Sequence, residues 1–333
     1  MLYVPILRCK AGEKDALIQL KDDVKDKIVP LFEVAPDTIS KFSDITRAWK
    51  SRKFYFDLHA ALEIDNEKYF ELIDKCIMDD VLSDMIPAVH VSDNSEKIAK
   101  VKEVSANGIA IRVTTNELSD PDFDFSFSDM LRENELSNCD LILDAQFINN
   151  DTLNTQIFVL KSTLSTIPNL ASFRRIIIAS GSIPDTLNVP KEELVSIQRF
   201  EKLLFENIRK ALMPKGIEPI FSDYTISHYS YFEFIPGMQM SFKIRYAAEN
   251  EYFIYKGLTL KKGGLKIDKV LEGCKAIIEK SGHFKGPDFS WGDTEIYDRY
   301  SGETTGPGNL QSWVSIDENH HITLMVNLLS NRS

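Results

Sequence analysis

The stretch Tyr3-Val4-Pro5-Ile6-Leu7-Arg8 sets a pattern that recurs through the first two thirds of the sequence, an apolar run that ends in an ionisable or polar residue. The seven further runs are Val29-Pro30-Leu31-Phe32-Glu33, Phe54-Tyr55-Phe56-Asp57, Ile86-Pro87-Ala88-Val89-His90, Gly108-Ile109-Ala110-Ile111-Arg112, Leu141-Ile142-Leu143-Asp144, Arg175-Ile176-Ile177-Ile178-Ala179-Ser180 and Glu218-Pro219-Ile220-Phe221-Ser222-Asp223. Such short, near-continuous apolar runs are typical of strands that are buried on both faces, as in a parallel sheet. With a helix between consecutive strands, the pattern predicts an α/β fold, a (β/α)8 barrel of the TIM type.

An open, doubly wound sheet is the alternative arrangement of the same elements. No Gly-x-Gly-x-x-Gly and no P-loop follows any of the runs, which favours the closed barrel. We predict that residues 1–235 form the barrel and that residues 236–333 form a C-terminal α+β extension, packed on the barrel as a lid. Three or four short elements would hardly build an independent core.

Four finer predictions concern the later part of the chain. Residues 191–212 are the longest region of helical pattern, and residues 240–245 are expected to be a strand. Residues 282–311, rich in Gly, Asp, Thr and aromatic residues, indicate a long ordered loop. Residues 320–329 read as a β-like run, in which the adjacent His320 and His321 would point to opposite faces.

The bulk composition excludes several classes of protein. The 333 residues are 43% hydrophobic and 27% charged, which is ordinary for a globular protein. A net charge of -11 argues against general nucleic-acid binding, because phosphate backbones are bound by basic surfaces. No apolar stretch is long enough for a membrane helix, and we see no secretory signal. The four separated cysteines favour a reducing cytoplasm over disulfides or a zinc cluster.

The candidate site residues lie at or just after the carboxyl ends of the predicted strands, where TIM barrels carry their active sites. They are Arg8, Lys10, Glu33, Asp57, His59, His90, Arg112, Asp144, Ser180 and Asp223. A charge that directly follows an apolar strand is costly to bury unless it is paired or used. We therefore expect a polar barrel mouth.

Two chemistries fit this ring of residues. In the first, a divalent metal ion held by Glu33, Asp57 and His59 activates water, with His90, Asp144 and Asp223 as further candidate catalytic groups. In the second, a phosphate or carboxylate is bound by Arg8, Lys10, Arg112 and Ser180, beside an acid or base. Together they suggest a protein that binds, and in the fuller hypothesis hydrolyses, a small phosphorylated or nucleotide-like ligand.

Two alternatives involve no catalysis. The charges of Arg8, Glu33, Asp57 and Arg112 could form a ring of ion pairs that closes one end of the barrel, because structural networks occur at such places. The chain could also be a scaffold that binds a protein partner through residues 282–311.

The two ends of the chain resemble one known family. The opening Tyr3-Val4-Pro5-Ile6-Leu7-Arg8-x-Lys10-x-Gly12-Glu13-x-x-Ala16-Leu17, Ile28-Val29-Pro30-Leu31-Phe32-Glu33, and the closing Trp313 with Asn319-His320-His321-Ile322-Thr323 are similar to phage T4 "beta" protein-like proteins. Members often carry Arg after that tryptophan, where this chain has Val314. The resemblance implies a phage- or defence-associated protein that is one unit from end to end, and it implies no mechanism.

Overall fold

The structure, a computed structural model, describes residues 2–62, 66–232, 238, 240–260 and 264–331. Its strands are β1 (Tyr3–Leu7), β2 (Leu31–Val34), β3 (Phe54–Leu58), β4 (Met85–Val89), β5 (Ala110–Thr114), β6 (Asp140–Phe147), β7 (Arg175–Gly181), β8 (Leu194–Gln198), β9 (Ile220–Asp223), β10 (Ser241–Ala247) and β11 (Glu251–Thr259). Its α-helices are α1 (Ala11–Ile18), α2 (Asp22–Lys25), α3 (Phe42–Ala48), α4 (Asn66–Met78), α5 (Ser95–Val104), α6 (Thr115–Leu118), α7 (Phe123–Glu133), α8 (Leu153–Thr166), α9 (Phe200–Leu212), α10 (Ile267–Lys275), α11 (Trp291–Ser301) and α12 (Leu310–Ser330).

Eight parallel strands close into a barrel in the order β1-β2-β3-β4-β5-β6-β7-β9. Strand β9 completes the ring by pairing on both sides. Its Asp223 lies opposite Ser180 of β7, and its Ser222 lies opposite Val4 of β1. All eight predicted runs are barrel strands, so the prediction of a TIM-like α/β barrel is confirmed.

Side chains alternate between the barrel interior and the surrounding helices, as the period of a strand requires. The interior is filled by one apolar cluster, which contains Val4, Ile6, Leu31, Tyr55, Ile86, Ala88, Ala110, Ile142, Ile177, Ala179 and Tyr224. Their immediate neighbours, such as Leu7, Phe32 and Phe56, belong to the larger cluster between the strands and the helices. This alternation decides which strand-end residues can face the mouth.

A second sheet, antiparallel in the order β10-β11-β8, follows the barrel. The predicted strand at residues 240–245 is confirmed as part of β10. The helix predicted over residues 191–212 is wrong in its first part, because Leu194–Gln198 is strand β8, paired with β11. This strand joins the later sheet although it precedes residue 235, so the barrel and the later elements interleave along the chain. The predicted boundary at 235/236 itself lies outside the described residues.

The last part of the chain is more helical than predicted. The supposed loop at residues 282–311 contains helix α11, capped by the Ser290 hydroxyl, which accepts the Asp293 amide at 3.0 Å. The supposed β-like run at residues 320–329 lies within the 21-residue helix α12. Most of α12 is buried, so its sequence lacks the one-sided apolar pattern by which surface helices are recognised. Within the described residues, no helix has the length and apolar character needed to cross a membrane.

Candidate functional site

The carboxyl end of the barrel carries a layer of inward-facing polar side chains, directly above the apolar interior. Arg112 follows the interior residue Ala110 by two positions, and Asp144 follows Ile142 in the same way. The layer contains Arg8, Glu33, Asp57, His90, Arg112, Asp144 and Tyr224. The sequence predicted six of these seven residues and missed Tyr224. This tyrosine directly follows β9 and faces inward.

Arg112 is the centre of this layer. Its guanidinium donates to Glu33 Oε1 at 2.8 Å, to Asp57 Oδ2 at 2.7 Å and to Asp144 Oδ2 at 2.7 Å. The Tyr224 hydroxyl bonds both Arg112 and Asp144, at 2.8 and 2.5 Å. Burial disfavours the charge of Arg112, but the surrounding Tyr224 and carboxylates hold its pKa well above the usual value. One cation thus joins three strands through their buried acids.

His90 holds the other side of Asp57. Its Nε2 lies 3.0 Å from Asp57 Oδ1, and its Nδ1 lies 3.8 Å from Glu117. Burial opposes the imidazolium, yet Asp57 and Glu117 raise the pKa of His90 to about 10. Burial likewise opposes the Asp57 carboxylate, and His90 and Arg112 hold its pKa well below the usual range. At neutral pH this pair is an imidazolium and a carboxylate.

The segment that follows β9 covers the layer. The Tyr229 carbonyl accepts hydrogen bonds from the Arg8 guanidinium and from His59 Nε2, the latter at 3.1 Å. His59 Nδ1 accepts the Ala61 amide at 3.0 Å, so the proton of a neutral His59 lies on Nε2. Arg8 also donates to the His228 carbonyl at 2.9 Å, and its Nε lies 3.7 Å from Glu33 Oε2. Both Arg8 and His59 are therefore bound to backbone.

The layer balances its own charge. Glu33, Asp57 and Asp144 face Arg8, Arg112 and the His90 imidazolium, which are the contacts of the ion-pair alternative. The prediction of a metal ion on Glu33, Asp57 and His59 is not supported, because Arg112 lies against both carboxylates and His59 bonds to backbone. Among the described residues, no three His, Cys, Asp or Glu side chains are placed to hold a metal ion.

Three predicted site residues lie elsewhere. Asp223 and Ser180 each follow an inward-facing residue, Ser222 and Ala179, so they face outward and are buried beneath the helices. Their prediction as mouth residues is wrong, because a one-residue difference along a strand changes the face. Lys10 is the N-cap residue that precedes α1, and it pairs with Asp37 at 3.2 Å on the half-exposed rim.

Asp223 is instead the centre of a second buried network. It accepts the Tyr3 hydroxyl at 2.5 Å, contacts His321 Nε2 at 2.9 Å and pairs with Arg199 at 3.4 Å. Burial lowers the pKa of His321, whereas His321 and Arg199 hold the pKa of Asp223 low against the effect of its burial. This network joins barrel strands β1 and β9 to α12.

The adjacent His320 makes its hydrogen bonds on another face of α12. Its Nδ1 lies 2.7 Å from Asp293 in α11, and its Nε2 donates to the Ala247 carbonyl in β10 at 2.8 Å. Neighbouring residues on a helix point about 100° apart, so two consecutive histidines can bond to different layers. The two histidines link the barrel to the later elements, where a β-like run had been predicted.

A pocket of about 360 Å³ opens at the same end of the barrel, beside the charged layer. It is lined by Thr115, Ala145, Gln146, Phe147, Gln156, Asp185, His228 and Tyr229. The Phe147 and His228 rings lie 5.2 Å apart, and those of His228 and Tyr229 lie 4.6 Å apart. Sequence reasoning placed Gln146 at the end of a strand but proposed no role for it or for the other seven lining residues. The aromatic-rich stretch from His228 to Phe232, which begins five residues after the end of β9, was the available signal.

The end of β6 is distorted where it forms this pocket. Gln146 has a φ of 56°, in the left-handed region, and the pairing with β7 shifts between Asp144 and Phe147. The Gln146 amide bonds to Asp144 Oδ1 at 2.9 Å, which ties the distortion to the charged layer. A bulge of this kind redirects side chains, and here Gln146 and Phe147 both line the pocket.

Fold and site together define a closed (β/α)8-type barrel protein with a charge-balanced mouth and an adjacent aromatic pocket. The family model described as Beta protein matches residues 3–327, so the chain belongs to the Beta protein family. The resemblance inferred from the two ends of the sequence is thereby confirmed over nearly the whole chain. No protein among those with curated descriptions matches the chain.

Proposed function

We propose that this chain binds a small nucleotide-like ligand, by its base, in the aromatic pocket at the barrel mouth. A volume of about 360 Å³ lies within the usual range of small-molecule sites. The pocket also lies at the carboxyl ends of the strands, the face on which TIM barrels bind their ligands. This location agrees with the ligand site expected from the sequence, although the residues differ.

The observation that carries the proposal is the strained end of β6. A non-glycine residue in the left-handed region costs free energy, on the order of 1–3 kcal/mol, and persists only where the surrounding structure enforces it. Gln146 is such a residue, and the register shift beside it brings Phe147 to the pocket wall. Strain and bulges of this kind concentrate at ligand sites.

The composition of the wall favours an aromatic ligand with polar edges. Phe147, His228 and Tyr229 offer ring surfaces, on which a base can stack. Gln146, Gln156 and Thr115 offer hydrogen-bonding groups between them. The wall thus combines aromatic ring faces with several polar side chains, and polar groups of this kind fix the orientation of a bound ligand.

Hydrolysis of a phosphoester is not part of the proposal. The three cations that were expected to bind phosphate are engaged. Arg112 bonds to three carboxylates and Arg8 to two carbonyl groups, while Lys10 pairs with Asp37. Asp185 adds a carboxylate to the pocket rim. We therefore expect a nucleoside to bind more tightly than its monophosphate.

The scaffold alternative placed its partner surface at residues 282–311. This segment contains α11, whose Ile296 is buried in a core with Trp313 and Phe242. Deleting the segment would remove part of that core, so the deletion would not separate partner binding from folding.

The substitution Phe147→Ala tests the proposal. Loss of one stacking ring is expected to weaken nucleoside binding about tenfold or more, because base stacking contributes roughly 1–3 kcal/mol. The matched control is Phe158→Ala on the outer face of α8, where the phenylalanine is 73% exposed. Isothermal titration calorimetry with the four common nucleosides and their monophosphates would measure the affinities.

The proposal is wrong if no nucleoside or nucleotide binds to the intact chain. It is also wrong if Phe147→Ala and Phe158→Ala bind with the same affinity as the unmodified protein. Thermal melting of both variants without ligand would show whether Phe147→Ala has disturbed the fold.

A further inference from the structure

His228 has a fixed hydrogen-bonding role in the pocket. Its Nδ1 accepts the backbone N–H of Ser230 at 3.2 Å and lies 2.7 Å from the Ser230 hydroxyl. A backbone N–H can only donate, so Nδ1 carries no proton. Burial also lowers the pKa of His228, which keeps the ring neutral. Its one proton therefore lies on Nε2, and the group that His228 can offer a ligand is a donor.

Two other residues of the pocket can offer acceptors. The Gln156 Oε1 atom is buried and, among the described residues, has no hydrogen-bond partner. The Asp185 carboxylate accepts the Thr186 amide through Oδ1 and can accept further hydrogen bonds. A buried acceptor without a partner is costly, so a ligand that donates to it gains affinity.

We infer that the base edge read by this pocket carries a carbonyl acceptor beside N–H donors, the lactam and amino edge of guanine. The inference rests on the proposed function and names its ligand class. His228 Nε2–H would donate to the base carbonyl, while Asp185 and Gln156 would accept from the ring N–H and the exocyclic amine.

The other common bases match this set less well. Adenine has no carbonyl to accept from His228, and its edge carries an amine beside an unprotonated ring nitrogen. Uracil and thymine have one ring N–H between two carbonyl groups. A carbonyl oxygen beside the Asp185 carboxylate is unfavourable, because both are acceptors. Cytosine has a single donor, its amine. The two acceptors, Asp185 and Gln156, are matched best by two adjacent donors, and among these bases only guanine presents two adjacent N–H donors beside a carbonyl on one edge.

The test compares guanosine, inosine and adenosine by calorimetry on the full chain. Guanosine is expected to bind about tenfold or more tightly than adenosine, the effect of roughly one well-formed hydrogen bond to a charged group. Inosine, which lacks the exocyclic amine, is expected to fall between them. Both Asp185→Asn and His228→Phe are expected to reduce the preference for guanosine over adenosine, while Phe147→Ala weakens both nucleosides alike.

The control for Asp185→Asn is Asp151→Asn, which removes one exposed negative charge from the loop after β6 and should leave the preference unchanged. Equal affinity for guanosine and adenosine, or a preference that survives both pocket variants, would overturn the inference and leave the proposed function standing. If no nucleoside binds, both are wrong. A guanosine preference lost in Asp185→Asn and kept in Asp151→Asn would support both.

Discussion

Replacing Arg112 with methionine is expected to lower the free energy of unfolding by about 3–5 kcal/mol, the usual cost of removing one partner from a buried ion pair. Methionine fills much of the space of arginine but leaves Glu33, Asp57 and Asp144 facing one another without their shared cation. These carboxylates are 4% exposed or less at the side chain. Urea denaturation at pH 7 would measure the loss.

The control for this variant is Arg132→Met. The side chain of Arg132 is 71% exposed and pairs only with Asp129 among the described acids, so its loss should cost less than about 1 kcal/mol. At acidic pH the difference in the free energy of unfolding between Arg112→Met and the unmodified protein should become smaller, because protonation removes the repulsion between the three carboxylates. A variant as stable as the control would show that the charged layer does not hold the barrel end together.

The substitution Asp317→Asn is expected to change the pH dependence of stability. Burial raises the pKa of Asp317 from its usual 3.8 to about 7, although Arg245 lies 3.2 Å away. At a pH between these two pKa values, Asp317 is protonated in the folded chain and ionised in the unfolded chain. The free energy of unfolding therefore falls as the pH rises from about 4 to 7, by an amount on the order of 4 kcal/mol for this one group.

Asparagine cannot ionise and keeps an oxygen that can accept from Arg245. The stability of Asp317→Asn, measured relative to the unmodified protein, should accordingly rise between pH 4 and pH 8. Urea unfolding at several pH values would give this difference, and Glu303→Gln, at an exposed position, is the control. A difference that stays constant over the whole range would mean that Asp317 titrates normally in the folded protein.

The barrel could be predicted because its signal is local. Each of the eight runs is apolar on both faces, and this property is visible in four to six consecutive residues. Strand β8 and helix α12 lacked such a signal. In β8, polar and apolar residues alternate only weakly within a stretch that otherwise has a helical pattern. Helix α12 is buried on nearly all sides. Neither element therefore shows the hydrophobic periodicity by which strands and helices are normally recognised.

The sequence predicts most of the residues that form the charged layer, but only part of their arrangement in space. That Arg8, Glu33, Asp57 and Arg112 lie at one end of the barrel follows from their position at the end of an apolar run. Which face each residue takes depends on the strand register, and this moved Asp223 and Ser180 to the outside. The pocket depends on the bulge at Gln146 and on the path of the chain after β9, which arise from tertiary contacts.

The packing of α12 on α1 also constrains how the chain folds. The two helices approach closely at Gly12, where a Cβ would lie 2.9 Å from Val314, and Asn319 donates to the Ala16 carbonyl at 3.2 Å. About 300 residues of sequence separate these partners, and loops of that length close late and at an entropic cost. On the ribosome, the part of α1 that packs on α12 therefore stays uncovered until nearly all of the described chain has been synthesised. During that time the nascent chain is most in need of a chaperone.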